Sequence, residues 1–213
     1  TYNQDNELVC VEYLDTEGGL INNNKLGYAY VTYERLEHDQ GKKIISCFYD
    51  KFGELTLLPK LGYAIEERFY NERGLLDSEA YYDNTNVPIC RTDYKVAKIE
   101  YSYANDGNCI KVWYQDVNGQ PANRCDVGYA VKYREYKNGK LMKEYYEGYQ
   151  DQNLIAISDR EKGVAAIEYI YNNNGQKEKE WYLDTGGELA LRSDIGCASL
   201  EFRYDNTGRC SGE

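Results

Sequence analysis

The sequence predicts an all-β protein built from tandem hairpin repeats. An aromatic-x-Asp signature and a Gly-Tyr-Ala signature recur at the same interval, with turns rich in Asn, Asp and Gly between them. The Asp residues of the first signature are Asp15, Asp50, Asp83, Asp116, Asp151 and Asp184, at steps of 35, 33, 33, 35 and 33. The Ala residues of the second are Ala29, Ala64, Ala97, Ala130, Ala165 and Ala198, so every Ala lies 14 residues after its Asp. Self-similarity at such a period defines a repeat architecture.

Each unit begins with a strand running from Gly-Tyr-Ala to a Tyr six residues on. In the third unit Ala97, Ile99, Tyr101 and Tyr103 fall on one side, with Lys98 and Glu100 on the other. Ala198, Leu200, Phe202 and Tyr204 alternate in the same way, and period two marks a half-buried strand. A turn such as YNERG (70–74), YANDG (103–107) or YNNNG (171–175) follows, with Asn, Asp and Gly supplying positive φ and local hydrogen bonds. A second strand leads to aromatic-x-Asp, and a D-x-x-G turn opens a return segment. Pro59, Pro88 and Pro121 all fall in that return, where no ladder bond is lost. The extra residues of the first and fourth units are expected at hairpin tips. In the second and fourth units Glu66/Arg68 and Lys132/Arg134 occupy positions that are apolar elsewhere. An alternate hairpin orientation, a different neighbour and a partner surface all account for that inversion.

The units are 16–50, 51–83, 84–116, 117–151 and 152–184, flanked by half-units 1–15 and 185–213, in a single repeat domain. Each is too small to bury a core alone, so neighbours stack. The expected form is an elongated or superhelical array, with a closed, propeller-like ring as the alternative.

Composition narrows the partners. The chain of 213 residues has 25 Lys plus Arg against 36 Asp plus Glu, a net charge of −11. That balance disfavours nucleic-acid binding, which needs cations to displace counterions from phosphate, and docking on anionic membranes. No apolar run approaches the roughly 20 residues of a membrane span, so no membrane insertion is expected. The 24 Tyr residues, against 4 Phe and 2 Trp, suit pleated sheets whose rings pack while their hydroxyls stay near water. The seven Cys form no CxxC pair and read as small buried apolar side chains, with a disulfide set as the alternative.

The repeated Asp is read as a turn cap, because a carboxylate three residues before Gly can accept the turn's own N–H groups. A calcium loop needs more carboxylates at alternating positions, so neither a metal nor any other cofactor is expected. The recurring Tyr residues are read as cross-strand packing. Trp113 and Trp181, each three residues before its Asp, and their neighbours Tyr114 and Tyr182 are the candidate ligand-binding residues, as ledges that stack on sugar rings. No catalytic residue is assigned: no GxSxG, HExxH or phosphate loop is present, and His38 is the only histidine. A glycosidase carboxylate pair is the weaker enzymatic alternative.

The string FRYDNTGR (202–209) resembles the YD repeats of RHS-type proteins. The aromatic–glycine rhythm from about residue 8 to 209 is similar to the repeats of cell-wall-binding and clostridial-toxin domains. The period is longer than in those families, and the Gly-Trp of choline-binding repeats is absent, so no binding residue is carried over. The resemblance implies a bacterial cell-surface or secreted protein with a role in adhesion, wall attachment or display. The expected function is therefore a non-catalytic module that binds a cell-wall glycan or a protein surface, with a ligand-free structural spacer as the alternative.

Overall fold

Alternating side chains and Asn/Gly turns produce antiparallel hairpins throughout. The computed structural model describes residues 1–205 and 207–212, and these hold strands and turns but no helix. Packing divides the chain into two units, Thr1–Tyr101 with Tyr114–Gln120, and Ser102–Trp113 with Pro121–Glu213.

In the first unit β1 (Cys10–Glu12), β2 (Tyr30–His38), β3 (Gly41–Tyr49), β4 (Ile65–Asn71), β5 (Leu76–Tyr82) and β6 (Lys98–Tyr103) pair in sequence order. Residues 98–101 of β6 belong here. Register follows the aromatic positions, with Val31 opposite Phe48 and Glu66 opposite Tyr81. One face packs the rings of Tyr28, Phe48, Tyr63 and Tyr81 under the return-segment residues Leu58, Leu61 and Ile89. Neighbouring centroids in that row lie 4.9–6.0 Å apart, a range in which aromatic pairs attract beyond their area burial.

The second unit takes residues 109–113 of β7 (Cys109–Gln115), then β8 (Val131–Lys137), β9 (Lys140–Gln150), β10 (Asn153–Ala156), β11 (Ala166–Tyr171), β12 (Lys177–Leu183) and β13 (Ser199–Glu201). Its sheet order is β7-β8-β9-β11-β12-β13, with β10 paired to β9. A separate ribbon joins β14 (Arg203–Tyr204) to β15 (Cys210–Gly212). The alternating run expected from Ala198 to Tyr204 is thus broken at Phe202, whose N–H donates to the Glu178 carbonyl.

The turns repeat atom for atom. Oδ1 of Asp50 accepts the N–H groups of Phe52 and Glu54 at 2.8 and 3.0 Å, and Asp15, Asp83, Asp116 and Asp184 cap in the same way. Asp151 differs from that expectation. With Gln152 it forms a two-residue turn between β9 and β10, at φ of 50° and 65°. The tip between β8 and β9 is only Asn138-Gly139, so the extra residues of the fourth unit build β10 rather than lengthening the tip. The buried aromatic of that unit is accordingly Tyr146, opposite Lys132, and not Tyr149. In the repeat 16–50 the extra residues do lengthen the hairpin, which closes at His38 and Gly41.

Six return loops share one closure. The N–H of Gly27, Gly62, Lys95, Gly128, Gly163 and Gly196 donates to the carbonyl four residues back at 2.7–2.8 Å. A second bond, at 2.8–3.0 Å, ties the first residue of each loop to the carbonyl five residues ahead, as Asn23 N–H to Tyr28 O. The donor of the first bond sits at positive φ, which favours Gly. Consecutive loops also touch: Thr92 N–H donates to Leu61 O and Ser193 N–H to Lys162 O, both at 2.7 Å.

Gly27 shows the steric limit, since an added Cβ would lie 2.3 Å from Cδ of Pro59. Gly74 has a similar φ of 72° with nothing within 4 Å. Gly74→Ala is expected to cost about 1 kcal/mol for the left-handed backbone alone. Gly27→Ala should cost about 2 kcal/mol more, because the rigid proline ring cannot turn aside. Urea denaturation of the two variants measures the difference, and equal losses would remove the close approach as a constraint.

Candidate functional site

On the face of the second unit opposite its buried tyrosines, cross-strand register sets out two rows. One row runs Lys111, Tyr133, Tyr145, Ala166, Leu183 and the other Glu135, Lys143, Glu168, Trp181, Ser199. The rings of Tyr133 and Tyr145 stack at 4.9 Å and 16°, and both are half-buried. Lys143 pairs with Glu168 at 2.8 Å, and Lys179 pairs with Glu201 at 2.6 Å. Burial and a hydrogen bond to Glu147 raise the Tyr133 phenol to about 12, so it stays a neutral donor.

Two surface cavities open on this face. One, of about 370 Å³, is lined by Trp181, Lys179, Glu201, Phe202 and Ile170. The other, of about 260 Å³, is lined by Tyr145, Lys143, Glu135, Glu147, Leu183 and Thr185. Aromatic faces beside mixed donors and acceptors are the chemistry of polar, ring-shaped ligands.

The sequence candidates divide. Trp181 is exposed, with 36% of its surface accessible, and forms a cavity wall with the Lys179 ammonium 5.7 Å over its ring. Trp113 is half-buried under the ammonium of Lys111, 4.6 Å above its ring, and its indole Nε1 is buried with no partner among the described residues. The two tryptophans do not align, because Trp113 continues into Val131 and Glu147, four residues along β9 from the row of Trp181. Tyr114 and Tyr182 point the other way and are 5% and 0% exposed, so neither presents a ring to a ligand. Neither Tyr133 nor Tyr145 is among the ligand-binding candidates of the sequence. Their only signal is the alternation of β8 and β9, which becomes informative once register places the rings side by side.

Each unit buries polar groups on its packed face, Tyr81 with Glu79 in the first and Tyr146 and Tyr182 with their glutamates in the second. Tyr81, Tyr146 and Tyr182 are buried whole, and each donates its hydroxyl to the Glu two residues earlier, Glu79, Glu144 or Glu180. Residues i and i+2 share a strand face, so this pairing is local. Glu144 also meets Lys132 at 2.7 Å, Arg134 at 3.0 Å and Lys162 at 3.3 Å. The inverted polarity of repeats 51–83 and 117–151 has a cause, since Glu66 and Lys132 lie inward, directly opposite Tyr81 and Tyr146. Among the described residues, no group of three His, Cys, Asp or Glu side chains is arranged to hold a metal, and no disulfide forms. No protein-family model matches the chain, and comparison with curated proteins finds no match.

Two buried glutamates respond to pH in opposite senses. Burial raises Glu66, aided by the charge of Glu79 and opposed by Arg68. Its contribution is present below the ordinary carboxylate value and is lost as pH rises through the raised one. For Glu144 burial is outweighed by Lys132, Tyr146 and Lys162, which bring it down to about 2. That contribution is present above the ordinary value and is lost only as pH falls through about 2. At pH 7 Glu66→Gln should therefore leave stability equal or higher, whereas Glu144→Gln should cost about 3 kcal/mol by stranding three cations. Urea midpoints at neutral and acid pH report both, and a destabilised Glu66→Gln at pH 7 would contradict the assignment.

Proposed function

We propose that this chain is a non-catalytic module of tandem 33–35-residue β-hairpin repeats, stacked as an elongated array in a bacterial surface or secreted protein. Its role is to bind a cell-wall or surface glycan through the open face of its second unit. The observation that carries the reading is the exposed Trp181 ring set in a cavity with Lys179 and Glu201. An indole offers its π face to the C–H face of a sugar, and the flanking charges supply hydrogen bonds to hydroxyls. In this reading Trp113 supports the sheet rather than touching ligand.

A spacer without ligand is the second reading. It draws on the burial of Tyr63, Tyr81, Tyr129, Tyr146 and Tyr182, which spends most of the repeated aromatic surface on the interior.

Binding to purified cell walls and a glycan array tests the choice. Trp181→Ala is expected to weaken binding about tenfold at unchanged stability, the worth of one aromatic stacking contact. Trp113→Ala should cost about 2 kcal/mol of stability and leave the affinity of the folded fraction intact. Absence of binding to any wall fraction or glycan would favour the spacer.

A further inference from the structure

We infer that the ligand is an extended, uncharged glycan chain laid across the strands of the second unit, in contact with Tyr145 and Trp181 at once. The inference rests on the glycan-binding reading and adds the length and charge of the ligand. Tyr145 on β9 and Trp181 on β12 are separated by two strand steps through β11. Ordinary strand spacing puts β9 and β12 roughly 10 Å apart, and the two-residue offset of Trp181 from Leu183 adds roughly 7 Å along the strand, a diagonal of about 12 Å that alternate sugars of an extended chain can span. Each ring walls its own cavity, and both cavities open on the same face.

Between them on β11 stand Ala166, opposite Tyr145 and Leu183, and Glu168, opposite Trp181 and bridged to Lys143. The methyl group of Ala166 leaves the floor low beside Tyr145, and the Lys143–Glu168 pair sets polar groups beside Trp181. The Tyr133 ring stacked on Tyr145 widens the platform on the far side.

Charge selects against ionic polymers. Lys143 and Lys179 are each held by a carboxylate, Glu168 and Glu201, and Arg203 shares the Trp181 cavity with Glu178 and Glu201. Glu135 and Glu147 border the Tyr145 cavity as well, and Asp184 lies at its edge. A polyanion would have to break those pairs and approach further carboxylates in a chain of net charge −11. Neutral hydroxyl and acetamido groups can donate to the carboxylates and accept from the ammonium groups without separating them.

Calorimetric titration of the whole chain with β-1,4-linked glucose and N-acetylglucosamine oligomers, from disaccharide to hexasaccharide, tests the inference. Affinity is expected to rise about tenfold or more with length, as the second aromatic contact engages on the same molecule. That gain should vanish in both Tyr145→Ala and Trp181→Ala and should change little with salt. Equal affinity for disaccharide and hexasaccharide, or tighter binding of a sulfated polysaccharide, would overturn the extended neutral chain while leaving glycan binding itself standing. No heat with any oligomer or with wall polysaccharide would overturn both. The length series on the unmodified chain decides the matter even if Tyr145→Ala fails to fold.

Discussion

A tyrosine buried whole carries a hydroxyl that must be hydrogen-bonded, and the rest of this structure follows from that requirement. Leaving such a group unpaired costs a few kcal/mol. Tyr81, Tyr146 and Tyr182 meet it through the Glu two residues earlier. Each Glu then brings a charge inside, which needs a cation. The return loops supply it: Arg91 reaches the Tyr81 hydroxyl at 3.0 Å, Lys162 reaches that of Tyr146 at 3.0 Å, and Arg192 lies over the Tyr182 ring. Sheet and loop are thereby coupled, and the loops take one shape with one pair of closing backbone bonds.

The network tolerates exchange of its parts. At the loop position filled by Arg91, Arg124 and Arg192, one loop carries Asp159, which turns to cap the N–H groups of Glu161 and Lys162. The cation then comes from Lys162, three residues on. Where Glu66 and Lys132 oppose the buried ring, further charge enters and further partners gather, such as Arg68 and Glu144. These clusters explain why a sheet so rich in ionised side chains can still bury its tyrosines.

Because the ring and hydroxyl demands are met on one face, the other face of the second unit keeps half-exposed rings and internally neutral ion pairs. Exposed pairs of that kind add little stability. They do order the donors and acceptors around Tyr145 and Trp181, which is the property a recognition surface needs. Trp113 and Trp181 look equivalent in the sequence yet differ in the fold. Each lies beneath the ammonium of the lysine two residues earlier, but the indole nitrogen of Trp113 is buried whereas Trp181 opens into a cavity.

Sequence alone determined the all-β class, the positions of the hairpins and the role of Asp15, Asp50, Asp83, Asp116 and Asp184, because each depends on contacts within a few residues. Period-two alternation and an Asx cap act locally, so they can be read without the fold. Only the tertiary structure decided the register. It moved the buried aromatic of the fourth unit from Tyr149 to Tyr146, made Asp151 part of a different turn, and put Tyr133 beside Tyr145. Register also turned Tyr114 and Tyr182 inward while their sequence neighbours Trp113 and Trp181 face the other way. A pleated strand sends successive side chains to opposite faces, and which face is buried is set by the loops and strands packed against it.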